Sequence, residues 1–241
     1  MPVMSDDVCE SLALVGWRAA AAGANTGRCR SMDFRIAVHE AGHALVARAL
    51  GMPIAGCTIT PDQNYSGLTW GPDGDPSKYC SNEEVASLCD RLASMVPPVG
   101  AARTDGGALL DHAHCRAIVL VAGTEAERAL HTADAPLAAA HDLRQAESFA
   151  SIFCCTTAAI DAFIVYSRAE AAALIEAHRN AVLAVAAALI ERRTLNGDEI
   201  DEIIAAAVAR DELDREVARR AQWARTIENA ATFAHETMVS L

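Results

Sequence analysis

The run His39-Glu40-Ala41-Gly42-His43 constrains this chain more than any other feature. Histidines four residues apart on a helix project from one face, one turn apart, so two imidazole nitrogens can reach a single metal ion. Glu40 is displaced about 100° round the helix from His39. That places its carboxylate beside the metal's open position, suited to take a proton from water without being a ligand. An accidental match of this kind arises in about one or two such chains in a hundred. Two imidazoles and a carboxylate in one turn of an Ala/Val/Leu helix are also costly to bury unpaired, and a metal removes that cost. The residues therefore predict a zinc site with His39 and His43 as ligands and Glu40 as the catalytic general base, the arrangement of a zinc metallopeptidase.

Around this motif the patterning is mostly helical. Of the 241 residues, 52% are hydrophobic and only 5% aromatic, and strand-favouring runs are scarce. The expected class is mainly α with a small β-sheet (α+β). Residues 1–30 read as an Ala-rich helical extension. A helix capped by Ser31 or Asp33 carries the motif to Leu50 and stops at Gly51, two residues before Pro53. Residues 54–60 and 65–70 read as a hairpin about Pro61-Asp62-Gln63-Asn64. Ser81 and Glu84 form a capping box opening a helix to Met95, and 97–107 is a linker. Further helices are expected at about 109–131, 136–159, 167–193 and 198–238, the last two separated by Asn196-Gly197.

Charge and cysteine content narrow the setting. A net charge of −12 with no basic stripe argues against nucleic acid. No apolar run approaches the roughly 18–20 residues that cross a bilayer. The longest, 181–190, is flanked by Arg179 and Glu191, and the first charges of the chain are acidic. A soluble, cytoplasmic protein without membrane contact is expected. The eight cysteines contain no C-x-x-C pair, which predicts reduced, mainly buried thiols, with Cys154-Cys155 as a buried pair.

The segment Phe34-Arg-Ile-Ala-Val-His-Glu-Ala-Gly-His-Ala-Leu-Val-Ala-Arg-Ala-Leu-Gly51 resembles the active-site helix of the FtsH-type zinc peptidase family, the proteolytic domains of ATP-dependent membrane proteases. Further stretches are similar to that family in the same order: Cys57-Thr-Ile-Thr-Pro61, Ser66-Gly-Leu-Thr-Trp70, Val121-Ala-Gly-Thr-Glu-Ala-Glu-Arg-Ala-Leu130, Ala138-Ala-Ala-His-Asp-Leu-Arg-Gln-Ala146 and residues 175–203. The likeness spans about 34–205. It implies a zincin-like helix packed with a β-hairpin and a C-terminal helical bundle. It divides the chain into an extension (1–30), a peptidase domain (31–205, with an insertion at about 76–115) and a C-terminal helix (206–241). It also implies Asp142 as the third zinc ligand. Glu125 and Glu127 are rivals for that role, and the resemblance gives them supporting or helix-packing roles instead. A strand at Ser66, Gly67, Leu68 and Thr69 is expected to bind extended substrate by strand addition.

The family's ATPase module and membrane anchor have no counterpart: no Gly-x-x-x-x-Gly-Lys-Ser/Thr run occurs, and Lys78 is the sole lysine. The 76–115 insertion reads as a lid or docking loop. It contains Asp111-His112-Ala113-His114-Cys115, read as solvated loop histidines in preference to a second metal site. The expected function is a zinc-dependent endopeptidase acting on peptides or flexible, unfolded segments, ATP-independent by itself unless a separate ATPase delivers folded proteins. The alternative is a catalytically silent form of the fold serving as an interaction or regulatory module. The family's rings make a homo-oligomer an expectation of the resemblance.

Overall fold

The computed structural model describes residues 29–63, 65–72, 90, 94, 107–130 and 139–239. The N-terminal extension up to residue 28, all but two residues of the helix expected at 81–95, and the linker up to residue 106 lie outside them. The described elements run α1 (Arg30–Ala49), β1 (Gly56–Thr58), β2 (Leu68–Trp70), α2 (Gly107–Ala129), α3 (Ala139–Ala150), α4 (Thr157–Ala177), α5 (Arg179–Arg192), β3 (Thr194–Asn196) and α6 (Gly197–Val239). The chain is thus mainly helical with a small antiparallel sheet, the α+β class its patterning predicts.

Helix α1 is the axis of the core. From Ile36 to Ala47 every residue is buried, and α2, α4, α5 and the sheet pack around it. A helix buried round its whole girth needs such enclosure, with its polar residues His39, Glu40 and His43 turned to one side. Gly42 sets the closest approach: a Cβ there would lie 2.6 Å from Ala126 Cβ and 2.8 Å from the Ala122 carbonyl oxygen. Small residues on both helices therefore bring α1 and α2 nearly backbone to backbone. Leu183 and Leu189 of α5 and Leu195 of β3 are almost fully buried. Each such side chain contributes about 1.5–3 kcal/mol.

The start of α1 differs from expectation. Its N-cap is Cys29, with no side-chain cap. Asp33 accepts instead from Arg193 Nη1 at 2.7 Å, a charge-assisted bond stronger than one to a backbone amide. Arg193, at φ 68°, also donates to the Ile59 carbonyl at 3.1 Å and so ties the sheet to α1. The helix stops as predicted, with Gly51 at φ 70°.

Strand β1 pairs antiparallel with β2, Cys57 opposite Thr69, and with β3, Cys57 opposite Leu195. The expected hairpin is present with shorter strands, and β3 joins it where the sequence reads only as an interruption between helices. Among the described residues, the order β2-β1-β3 leaves β2 at an edge. Two expected helices are each divided. The 136–159 pattern breaks after Ala150, and Thr156 caps α4 by accepting from the Ala159 amide at 3.2 Å. The 167–193 pattern bends by 82° at His178, between α4 and α5. By contrast α6 is unbroken, so the expected boundary at 205–206 falls inside one helix. Among the described residues, no single helix is long and apolar enough to cross a membrane.

The cysteines correct another expectation. Of the five described, only Cys57 is buried, and Cys155 is exposed beside a half-buried Cys154. Cys154-Cys155 sits at the solvent-facing turn between α3 and α4 rather than in the core.

Candidate metal centre

Two helices bring three donor atoms together. Helix α1 supplies His39 and His43, and the first turn of α3 supplies Asp142. The two Nε2 atoms lie 3.0 Å apart, and Asp142 Oδ2 lies 3.2 Å from His39 Nε2 and 3.6 Å from His43 Nε2. The sequence separates Asp142 from the motif by a hundred residues, and the packing of α3 on α2 closes that distance.

The other nitrogen of each ring is already engaged. His43 Nδ1 lies 2.7 Å from the Val119 carbonyl oxygen. A carbonyl only accepts, so Nδ1 carries the proton and Nε2 of the neutral ring carries the lone pair. His39 Nδ1 lies 2.7 Å from Glu127 Oε1, which fixes the same tautomer. In these neutral tautomers two lone pairs and a carboxylate oxygen face one another among buried groups, an arrangement that is repulsive until a proton or a metal cation joins it. His39, His43 and Asp142 are thus placed to hold a metal ion.

Gly123 of α2 keeps that space open. A Cβ there would lie 2.5 Å from His39 Nε2 and 2.6 Å from His43 Nε2. Any larger residue would occupy the ground between the donors. Glu127 and Val119 sit on the same helix, so α2 orients both rings while leaving the donor side clear.

The electrostatics point the same way. Burial opposes a charge on His39, but Asp142, Glu127 and Glu40 outweigh it and raise its pKa to about 10. Burial also opposes ionisation of Asp142, yet the two histidines hold it well below the usual carboxylate range. Glu127 is likewise held low despite burial, by His39 and by Arg35, whose Nε donates to Oε2 at 2.6 Å. The pocket is built to collect positive charge where the three donors meet.

Glu40, next to His39, is buried at 6% exposure and makes no part of the donor triangle. Burial pushes its carboxyl up, against the pull of His39, His43 and the Thr69 hydroxyl. Thr69 Oγ1 donates to Glu40 Oε2 at 2.9 Å. This partner on β2 was not foreseen as anything but a substrate contact. Gly67 also passes close by: a Cβ there would lie 2.7 Å from Glu40 Oε1.

A cleft of about 590 Å³ opens over these groups. His39, Glu40, His43 and Asp142 border it, as do Leu68 and Thr69 of β2, Arg116, Leu120 and Gln145, while Ser66 and Gly67, expected in the strand, line it from the bend before β2. Sequence reasoning thus named all four polar groups at its centre. It missed Gly123 as spacer and Val119 as proton acceptor, neither of which carries a side-chain signal.

The remaining candidates lie elsewhere. Glu125 binds Arg128 and lies 3.8 Å from Arg168 Nε, away from the donor triangle. Asp111, His114 and Cys115 come within 4.8 Å of one another on an outer turn of α2. They are helical rather than part of a loop, and His114 stacks on Tyr166 with its Nε2 3.2 Å from the phenol oxygen. No family model matches the chain, and a search of the curated proteins finds no match either.

Proposed function

We propose that this chain is a zinc-dependent endopeptidase of the FtsH type, hydrolysing peptide bonds in peptides or unfolded segments. The observation that carries the reading is the triangle of His39 Nε2, His43 Nε2 and Asp142 Oδ2 with Glu40 beside it at the foot of a cleft. Donor atoms on a tetrahedral zinc lie about 3.3 Å apart, so edges of 3.0, 3.2 and 3.6 Å suit that ion. Zinc held by His39, His43 and Asp142 would supply a Lewis acid and lower the pKa of water there.

The chain's own residues would do the rest. Glu40 takes the proton of the attacking water and passes it to the leaving amine. Its raised proton affinity, from burial, suits a group that must first accept and then release a proton near neutral pH. Thr69 holds the carboxylate in place. Glu127 and the Val119 carbonyl keep both rings in the donor tautomer. The edge position of β2 beside the cleft supports binding of an extended chain by strand addition, which selects shape more than side chains.

The test compares wild type with Glu40→Gln for zinc content and for cleavage of an unstructured polypeptide such as casein. Stoichiometric zinc in both, with cleavage by wild type alone, is the expected result. Zinc in both with no cleavage by either would favour the interaction-module reading, and purified protein without zinc would overturn the metal assignment.

A further inference from the structure

Helix α6 is far longer than its packing requires. Ile200 is buried and Ile203, Ile204 and Ala207 pack on the core, with Asp211 accepting from Asn180 Nδ2 at 2.7 Å. Beyond it, from residue 212 to 233, every residue but the half-buried Glu216 is exposed. Among the described residues the hydrogen bonds and ion pairs of 212–230 stay within the helix, yet this length carries Leu213 at 62%, Trp223 at 66% and Ile227 at 54% exposure. An isolated helix of this size draws little stability from propensity alone, and an apolar stripe along it is normally covered.

The stripe has a definite period. Ala209, Leu213, Glu216, Arg220, Trp223, Ile227 and Ala230 follow one another at alternating steps of four and three, the seam of a coiled coil. They lie on the face of α6 opposite Ile200, Ile204 and Ala207, so the described core does not obstruct them. The seam is complementary to itself when reversed about Ala218. Reversal sets Leu213 opposite Trp223, Glu216 opposite Arg220 and Ala209 opposite Ile227. On a larger scale, residues 211–216 carry four acids and one arginine, whereas 219–225 carry three arginines and no acid. A parallel pair would set Glu216 against Glu216 and Arg220 against Arg220.

We propose that α6 is a dimerisation arm, whose outward face pairs antiparallel with the same face of a second copy about a two-fold axis beside Ala218. The interface is isologous, as a two-fold requires. The Glu216–Arg220 layers fix register and orientation, because a polar layer inside an apolar seam penalises every alignment that leaves it unmatched. Within one chain Glu216 already accepts from Arg220 Nε at 2.6 Å and from Arg219 Nε at 2.8 Å. The second copy therefore meets a preformed, charge-balanced centre. This inference is independent of the chemistry at the metal centre.

Sedimentation equilibrium on the full chain tests it. Wild type is expected to dimerise reversibly. Glu216→Arg, which creates two Arg–Arg layers, is expected to raise the dimer Kd about tenfold or more. Glu216→Arg combined with Arg220→Glu, which restores both layers with the charges exchanged, is expected to recover the wild-type Kd. Leu213→Asp is expected to weaken the dimer without touching the ion pairs, and circular dichroism checks that each variant stays helical. A wild-type chain that remains monomeric overturns the proposal. So does a dimer indifferent to Glu216→Arg, the result for a parallel pair or for contact elsewhere, and so does a double variant that stays as weak as the single one.

Discussion

Glu127 Oε1 lies 2.7 Å from His39 Nδ1, so a carboxylate on α2 fixes the orientation of a ring on α1 whose other nitrogen faces His43 and Asp142. The same carboxylate holds Arg35 through its second oxygen. Glu127→Gln keeps the shape and removes the charge. Loss of such a partner costs about 10–100-fold in metal affinity. Competition titration against a chromophoric chelator should read that weakening, with the thermal unfolding of the metal-free protein changed far less.

Thr69→Val removes the hydroxyl that donates to Glu40 Oε2 while preserving side-chain volume. A hydrogen bond to a charged group is worth about 1.5–3 kcal/mol, so cleavage should fall by about tenfold or more. Zinc content should not change, because the Thr69 hydroxyl bonds Glu40 and Cys57, which are not among the three donors. Steady-state kinetics with a quenched fluorescent peptide, alongside metal analysis, separates the two effects.

Gly123→Ala places a methyl group within 2.6 Å of both Nε2 atoms. Zinc binding should be lost or severely weakened, whereas helix content by circular dichroism should stay close to wild type. Full zinc occupancy in this variant would show that α2 can withdraw from the site.

The metal-free protein should be pH-sensitive in a definite direction. His39 has an ordinary pKa of 6.5 and a folded value of about 10. Its contribution to stability is fully present below about 6.5 and is lost as pH rises through about 10, since the folded state binds the extra proton in that window. Asp142 is shifted downward, so its contribution is present above its ordinary 3.8 and is lost only as pH falls through its depressed folded value. The Tm of the chelator-treated protein should therefore decline from about pH 6.5 toward 10. Proton and metal compete for the same nitrogen, so zinc affinity should rise over that range.

What could be read from the sequence follows how local each signal is. His39, Glu40 and His43 declare themselves because one helical turn contains the whole geometry. Asp142 emerges only through resemblance, since nothing in its neighbours distinguishes it from an acid that favours a first turn. Gly123 and Val119 act through a missing side chain and a backbone oxygen, and their roles exist only once α2 crosses α1 at Gly42. Strand β3 escapes for a similar reason. Thr194-Leu195-Asn196 has too few residues to show alternation, and pairing with β1 makes it a strand. The break at His178 is hidden because the residues on both sides favour helix, and only the tertiary course of α4 and α5 requires the bend.

The near contact of Gly42 with Ala122 and Ala126 has a kinetic consequence. His39 and His43 lie on one side of this close seam and the groups of α2 that orient them on the other, so neither set can come loose while the other stays packed. The two rings then have no local breathing mode of their own. Amide hydrogens around His39 and His43 should exchange only at the rate of global opening.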